Sequence, residues 1–183
     1  MSPPESHPPD LAESRAPESD PSASRSSSIR RVEILHGVNL NMLGRRDPLH
    51  YGTLTLADLE TQIAAWAADL GLRASFFQTN AESEYVERLH SLRGQVDGLI
   101  LNPGSWTHYA WAIHDALELT GLPAVEVHLS DIQAREPWRR LSVIGDLCLE
   151  TFSGKGPDGY RLALERLRKA LDGAGPRPVE VGD

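Results

Sequence analysis

The stretch ASFFQTNAESEYVERLHSLRGQVDGLILN, residues 74–102, contains two short β-rich runs separated by a helical pattern. The runs ASFFQ and GLILN have the length and apolar content of buried strands. Between them the apolar residues recur at the spacing of one helix face, at Tyr85, Leu89 and Leu92. Since a strand, a crossover helix and a second strand form the unit of a parallel sheet, this stretch predicts the α/β class.

The same alternation continues on both sides of this unit. Further strands are predicted in VEIL (32–35), AVEVHL (124–129) and LCLETFS (147–153), and further helices in 55–71, 109–119 and 159–171. Thr55 is the predicted N-cap of the first helix, and Gly71 is its predicted C-terminal stop. Strands alternating with helices in this way predict right-handed crossovers and a parallel sheet covered on both faces.

The two ends of the chain differ in composition from this region. Residues 1–28 contain nine Ser and six Pro, and Leu11 is their only large aliphatic residue after Met1. Such a segment buries too little apolar surface to offset its ordering entropy, so residues 1–29 are predicted to be a disordered tail. One folded domain is predicted at residues 30–172, followed by a flexible tail at residues 173–183.

Composition and charge argue against several classes of function. The net charge of −8 disfavours a nucleic-acid partner, since phosphate binding needs a basic surface. No apolar run approaches the ~18 residues of a membrane span, and the N-terminal tail lacks the apolar core of a secretory signal. Cys148 is the only cysteine, so no disulfide can form within the chain. The predicted location is the cytoplasm.

Polar residues follow four of the predicted strands at their carboxyl ends. The first strand leads to Asn39, the second to Asn80, the third to Asn102, and the fourth to His128 and Ser130. Because the carboxyl ends of parallel strands lie along one edge of a sheet, these residues are expected to converge on a ligand site. Taken singly, an asparagine could instead cap a turn, and the histidine could be a structural core residue.

The stretch HGVNLNMLGRRDPLHYG, residues 36–52, places two arginines ahead of a tyrosine on a loop after the first strand. Tyr51 could simply pack against the protein, with Arg45 and Arg46 in solvent. Alternatively, a guanidinium lowers the pKa of the phenol from its ordinary value of ~10, so that Tyr51 ionises and acts as a general base.

Sequence motifs for common cofactors and metals are missing. No GxGxxG follows the first strand, and SGKGPDG (153–159) lacks the spacing of a phosphate-binding loop. His108, His128 and Asp115 could be the ligands of a metal-dependent hydrolase, but they show no recognised zinc-ligand spacing. We therefore predict neither a cofactor nor a metal.

Five motifs together resemble the type II 3-dehydroquinate dehydratases: GVNLNMLGRRDPLHYG, QTNAESE, NPGSWTH, EVHLSDIQAREPWR and GKGPDGYRLAL. They occur in order between Val32 and Leu171. The resemblance implies a flavodoxin-like three-layer sandwich with a five-stranded parallel sheet, and a homo-oligomer of four trimers, a dodecamer. It implies a lyase that converts 3-dehydroquinate to 3-dehydroshikimate by trans elimination of water. That reaction serves the shikimate pathway of aromatic amino acid biosynthesis or quinate metabolism.

The resemblance also implies roles for individual residues. In catalysis, the tyrosinate base is Tyr51, the group that lowers its pKa is Arg46, the holder of an enolate-stabilising water is Asn39, and the general acid is His128, held by Glu126. The implied substrate contacts are the side chains of Asn102, His108 and Arg139, the backbone amides of Leu129 and Ser130, and Asp115, which reaches the site of a neighbouring subunit.

The sequence departs from the family's usual residues at Val38, His114 and Leu141, where Pro, Arg and His are common. None of the three has an implied chemical role, so the departures bear on assembly and substrate fit. A lysine imine is not expected, because Lys155 and Lys169, the only lysines, lack an apolar setting. The alternative to an enzyme is a flavodoxin-like binding protein without enzyme activity. The joint presence of the implied site residues argues against this alternative.

Overall fold

The computed structural model of the chain describes residues 29–45 and 54–173. Strands and helices alternate along these residues in the following order: β1 (Arg30–His36), α1 (Leu56–Asp69), β2 (Leu72–Gln78), α2 (Glu82–Leu92), β3 (Gly98–Asn102), α3 (Trp111–Thr120), β4 (Ala124–His128), β5 (Thr151–Ser153) and α4 (Asp158–Gly173). Short 3-10 helices occupy the loops after β1, β3 and β4, at Leu40–Met42, Gly104–His108 and Pro137–Arg139. Of the predicted tails at 1–29 and 173–183, residues 1–28 and 174–183 lie outside the described residues.

The five strands form one sheet in the order β2-β1-β3-β4-β5, and every neighbouring pair is parallel. The register places Ile34 of β1 beside Phe76 of β2 on one side and Ile100 of β3 on the other. The chain therefore moves outward from β1 to β2 and then returns past β1 to begin β3. This order confirms the predicted flavodoxin-like sheet, in which ligands bind outside the carboxyl ends of the strands where the order reverses.

Alternate side chains of the sheet build two separate cores. Ile34 and Ile100 belong to the cluster formed with α1 and α4, whereas Leu35 and Leu101 belong to the cluster formed with α2 and α3. All four side chains are fully buried. Full burial of one such side chain stabilises a fold by about 1.5–3 kcal/mol, so both faces of the sheet require a helical cover. The structure thus confirms the predicted three-layer sandwich.

Helix α1 begins and ends at the residues that the sequence indicated. The Thr55 hydroxyl accepts a hydrogen bond from the Asp58 amide at 3.2 Å, and the Asp58 carboxylate accepts one from the Thr55 amide at 3.2 Å. This capping box satisfies two backbone donors at the start of the helix. Gly71 follows the helix with a φ of +66°, a conformation that glycine adopts at little cost. Among the helices of the described residues, none is both long and apolar enough to cross a membrane.

The fifth strand is shorter than the sequence predicted. The expected strand at 147–153 is wrong in its first half, because the structure has a strand only at Thr151–Ser153. Leu147 and Cys148 lie in a turn. The Leu147 amide donates to the Ile144 carbonyl oxygen, and the Cys148 amide donates to the Gly145 carbonyl oxygen. Both side chains nevertheless pack against the core formed with α2 and α3. A short apolar run indicates burial but does not by itself fix a strand.

Candidate active site

A cleft opens at the carboxyl ends of β1, β3 and β4, where the strand order reverses. Seven of the predicted site residues line it: Asn39, Asn102, His108, His128, Leu129, Ser130 and Arg139. Glu126 contacts the cleft only through His128, and Asp115 lies on α3 outside it. Arg46 and Tyr51 lie outside the described residues. The convergence that was expected from the strand ends is therefore present in the geometry, whereas the roles of these residues stay predictions.

His128 and Glu126 form a hydrogen-bonded pair at the end of β4. They stand two positions apart, so their side chains leave the same face of the strand. Nε2 of His128 lies 2.7 Å from Oε1 of Glu126. Since an ionised carboxylate only accepts, Nε2 carries the hydrogen of this bond. The other ring nitrogen, Nδ1, is therefore the one that remains for proton transfer to a ligand.

Three hydroxyl groups also donate to the Glu126 carboxylate, which has no exposed surface. Thr107 donates to the oxygen that His128 contacts, Ser142 donates to Oε2 at 2.8 Å, and Thr151 donates to Oε2 at 3.1 Å. A buried carboxylate is tolerated when its oxygens are paired in this way. The sequence does not indicate these three residues, because they come from separate segments and share no motif.

The hydrogen bonds decide the charge of Glu126. Burial raises the pKa of this carboxyl, but the hydrogen bond and charge of His128, with the hydrogen bonds of Thr107 and Ser142, act in the opposite direction and prevail. The net result is a pKa below the ordinary value of 4.5. Glu126 is therefore ionised at neutral pH and can stabilise a positive charge on the neighbouring imidazole.

His108 lies beside His128, and the two rings stack with their centroids 6.5 Å apart. It is the last residue of its 3-10 helix, Gly104–His108, and is buried. Its Nδ1 lies 2.7 Å from the carbonyl oxygen of Leu141 and donates to it. Burial lowers the pKa of His108 below 6.5. In the neutral ring Nε2 is an acceptor, which suits a ligand hydroxyl.

Asn39 adopts the left-handed backbone conformation at the mouth of the cleft. Its φ of 66° is the only positive value for a non-glycine residue within 29–45 and 54–173. Its amide donates to Oδ1 of Asn80 at 2.7 Å, and Asn80 in turn donates to Oδ1 of Asn41 at 3.2 Å. The Asn39 side chain makes no capping hydrogen bond to the 3-10 helix that it precedes. The capping alternative is therefore wrong for this residue, and its strained backbone is held by the end of β2.

Asn102 ends β3 with both ends of its amide bonded within the protein. Oδ1 accepts from the Gly104 amide at 3.3 Å, and Nδ2 donates to the Tyr160 hydroxyl at 2.9 Å. The turn-capping alternative for Asn102 is thus partly correct, although the residue also lines the cleft. Tyr160 is a further neighbour of the site that the sequence analysis missed.

Two arginines make the cleft suitable for an anionic ligand. Arg139 stacks over the Trp138 ring with a separation of 4.3 Å, and its Nε lies 3.2 Å from the Glu136 carboxylate. Arg135, which was not predicted, also lines the cleft. Guanidinium groups beside two histidines favour a carboxylate or a similar anion.

Asp115 does not reach the cleft of its own chain. Its carboxylate is 78% exposed and lies 3.2 Å from Nδ1 of His114. Within the part of the chain that the structure describes, no three His, Cys, Asp or Glu side chains are grouped so that they could bind a metal ion. The three residues considered as ligands of a metal-dependent hydrolase therefore do not form a cluster in this structure.

Known proteins resemble this chain over nearly all of its described residues. The family model described as Dehydroquinase class II matches residues 30–168. The 3-dehydroquinate dehydratase of Pelobacter propionicus is 49% identical over 137 residues, covering 74% of this chain and 92% of that protein. Its counterpart in Thermotoga maritima is 46% identical over 142 residues, covering 78% and 97%. The crystal structure of the type II dehydroquinase from Propionibacterium acnes matches with a TM-score of 0.73 at 38% identity, covering 76% of this chain and 97% of that one.

Proposed function

This chain belongs to the class II dehydroquinase family, and on that basis we propose that it dehydrates 3-dehydroquinate to 3-dehydroshikimate. The reaction is a trans elimination of water through an enolate, and it needs no cofactor. The observation that carries the proposal is the pairing of His128 with the buried, ionised Glu126 at the cleft. Such a pair supplies a proton to a leaving hydroxyl, which is a chemical requirement of this reaction.

The elimination begins when a base removes the hydrogen on the carbon next to the ketone. Tyr51 takes this role as tyrosinate, and Arg46 supplies the positive charge that favours the phenolate. At pH 7 only about one free tyrosine in a thousand is ionised. If the pKa of the phenol is lowered by about two to three, which takes ~1.4 kcal/mol for each pH unit, the phenolate becomes a usable base near neutral pH. Both residues lie outside the described residues, and they follow Leu43, which lines the cleft, in the sequence.

Loss of the proton moves negative charge onto the ketone oxygen. Donors that are already oriented toward this oxygen stabilise the enolate without further reorganisation. Asn39 holds a water molecule for this purpose in our proposal. Its backbone is fixed by the Asn80 side chain, so its own side chain is not needed to hold the turn.

The leaving hydroxyl departs with a proton from His128. Nδ1 donates this proton as the carbon–oxygen bond breaks, so that the products are water and the conjugated enone. Meanwhile Nε2 stays bonded to Glu126, whose negative charge stabilises the protonated ring before the transfer. The pair therefore keeps the acid oriented beside a fixed negative charge.

The remaining polar groups of the cleft bind the substrate. Asn102 and His108 contact its hydroxyl groups, and the backbone amides of Leu129 and Ser130 bind its carboxylate. Arg139 adds a positive charge to the lining of the cleft. These assignments fit an anionic polyhydroxylated ligand, because the cleft lining includes amide, imidazole and guanidinium groups.

The proposed assembly is a cytoplasmic homododecamer of four trimers, in which Asp115 reaches a neighbouring subunit's site. Large apolar side chains are exposed on and beside α3, at Tyr109, Trp111 and Leu119, and their burial would favour association. Subunit mixing tests this. Co-expression of an Asp115→Ala chain with a His128→Asn chain should restore part of the activity that each lacks alone, since some mixed sites would be complete.

A direct assay tests the proposed activity. Purified protein mixed with 3-dehydroquinate should raise the absorbance of the conjugated enone without an added cofactor and in the presence of a strong chelator. The His128→Asn variant is the matched control. If the absorbance does not change at several pH values, the protein is not a dehydratase, and the alternative of a binding protein without enzyme activity is favoured. Growth of a deletion strain without aromatic amino acids, or on quinate, separates the shikimate pathway from quinate breakdown.

A further inference from the structure

A line of buried polar groups extends from Asn102 away from the cleft. Nδ2 of Asn102 donates to the Tyr160 hydroxyl at 2.9 Å, and that hydroxyl lies 3.3 Å from Nδ1 of His36. Nε2 of His36 lies 3.8 Å from the Glu60 carboxylate. His36 and Tyr160 have no exposed surface. Buried polar groups are costly unless they are bonded, and the reaction proposed above uses only Asn102 directly.

The donors and acceptors in this line have one consistent arrangement. The Gly104 amide can only donate, so the Asn102 atom that faces it is Oδ1, and Nδ2 faces Tyr160. The Tyr160 oxygen then accepts from Asn102, and its own hydrogen points to His36. Nδ1 of His36 then accepts that hydrogen, in a neutral ring whose Nε2 makes no hydrogen bond within the described residues. Burial lowers the pKa of His36 to about 4, so this ring is neutral at physiological pH.

The backbone of Asn102 is fixed separately from its side chain. The Gly37 amide donates to the Asn102 carbonyl oxygen at 2.8 Å, which ties the end of β3 to the end of β1. The terminal torsion of an asparagine is broad, so the plane of its amide needs a partner of its own. Among the described residues, Gly104 and Tyr160 are the two that provide it.

We propose that Tyr160 is a positioning residue, which fixes Asn102 as a hydrogen-bond donor to a substrate hydroxyl. With Oδ1 occupied by Gly104 and one Nδ2 hydrogen by Tyr160, the amide presents its second Nδ2 hydrogen to the ligand. His108 presents an acceptor, Nε2, in the same cleft. A substrate hydroxyl can accept from the first group and donate to the second. This inference rests on the proposed function, because it concerns how that site recognises its substrate.

The Tyr160→Phe variant tests the role of the hydroxyl. We expect KM for 3-dehydroquinate to rise about tenfold, since one positioned hydrogen bond is lost, while kcat changes by a smaller factor. The matched control is Tyr85→Phe. Tyr85 is also fully buried, and its hydroxyl donates to the Leu35 carbonyl oxygen at 3.3 Å on the opposite face of the sheet. It should lose a comparable amount of stability and keep the wild-type KM.

A double-mutant cycle separates positioning from general damage. In an Asn102→Ala background, Tyr160→Phe should raise KM no further, because the group that it orients is already gone. A second variant, His36→Leu, leaves Tyr160 in place but removes the acceptor of its hydrogen. It should also raise KM, by a smaller factor. This variant tests the positioning role if Tyr160→Phe does not fold.

The outcomes distinguish this inference from the proposed function. A wild-type protein without dehydratase activity overturns both. An active wild-type protein whose KM is unchanged by Tyr160→Phe and by His36→Leu overturns the positioning role alone. Equal increases in KM for Tyr160→Phe with and without Asn102, or an equal increase for Tyr85→Phe, also overturn it.

Discussion

His128 Nε2 lies 2.7 Å from Glu126 Oε1, which joins a residue of the cleft to a carboxylate without solvent exposure. Three hydroxyl groups complete the hydrogen bonding of that carboxylate. The hydrogen bond and charge of His128, with the hydrogen bonds of Thr107 and Ser142, keep the pKa of Glu126 below its ordinary value despite burial. The ionised form is therefore built into the fold before a ligand arrives. This preorganisation makes the charge of Glu126 testable separately from its shape.

The Glu126→Gln variant should lower kcat on the order of 100-fold, because the amide keeps the shape of the carboxylate but not its charge. Without that charge the positive imidazole of His128 loses its ionic partner, so proton donation to the leaving hydroxyl should become slower. The enone assay at several pH values measures kcat for the variant and the wild type. The control, Ser142→Ala, removes only one of the hydrogen bonds to Glu126 and should have a much smaller effect. A wild-type profile in Glu126→Gln would contradict a role for the charge.

The Tyr51→Phe variant should reduce turnover by a factor of about 10²–10⁴ or more, the usual contribution of a general base. Only a hydroxyl is removed, so the thermal unfolding midpoint should stay near that of the wild type. Tyr109→Phe provides the control, since Tyr109 lies outside the cleft and the variant keeps its apolar ring. Retention of most of the activity in Tyr51→Phe would exclude Tyr51 as the base.

Much of the cleft follows from rules that a single sequence contains. Asn39, Asn102 and His128 could be expected together because parallel strands deliver their carboxyl ends to one edge. The helix ends at Thr55 and Gly71 follow from local backbone chemistry. In each case the prediction depends on near neighbours in sequence or on a repeated topology.

The residues that the sequence analysis missed depend on contacts between distant segments. Thr107, Ser142 and Thr151 meet only at the Glu126 carboxylate, and a lone hydroxyl residue has no pattern that indicates such a contact. Tyr160 occupies a core position of α4, where an aromatic residue suggests packing alone. The prediction for the apolar run at 147–153 was partly wrong for a related reason. The run does contact the core, but only Thr151–Ser153 adopts the predicted strand conformation.

Acidification should destabilise the fold through His36. The pKa of its buried ring is about 4 in the folded state, against an ordinary value of 6.5 in the unfolded chain. Between these values the unfolded state holds the additional proton. The free energy of unfolding therefore falls as the pH decreases from 6.5 to 4, by on the order of 3 kcal/mol in total, and this contribution is fully present above pH 6.5.

Urea unfolding at pH 7 and pH 5 measures this effect, and His36→Asn should show a smaller difference between the two pH values. The lowered pKa of His108 acts in the same direction, so only the comparison with the variant isolates His36. Glu60, which lies 3.8 Å from His36, has a pKa raised by burial, and Glu60→Gln is the control for its contribution. The same pH dependence in wild type and His36→Asn would contradict the assignment.

Borohydride treatment in the presence of 3-dehydroquinate should leave the enzyme active. An imine mechanism needs a lysine at the substrate, but Lys155 and Lys169 are both exposed and neither lines the cleft. Residual activity and intact mass after treatment are the measurements. Inactivation together with a mass increase on Lys155, absent in a Lys155→Arg variant, would overturn the tyrosinate mechanism in favour of an imine.

The Gly37→Ala variant should lose both stability and activity. A Cβ atom at this position would clash with the carbonyl oxygen of Pro103, a backbone atom directly after β3 that can move only with the chain around it. The ends of β1 and β3 would have to separate, although the Gly37 amide bonds the Asn102 carbonyl oxygen across this gap at 2.8 Å. We expect a loss of about 1–3 kcal/mol in the free energy of unfolding, as for other overpacked sites.

Separation of these strand ends also displaces Asn102 from the rest of the cleft, so kcat/KM should fall at least about tenfold under conditions in which the variant is folded. Urea unfolding and the enone assay measure the two effects. Gly173→Ala is the control, because an added Cβ at the end of α4 meets no atom within 4 Å and should leave both quantities near wild type. If Gly37→Ala has wild-type stability, the ends of β1 and β3 separate at little cost. The close approach of Gly37 to Pro103 would then not be what holds Asn102 in place.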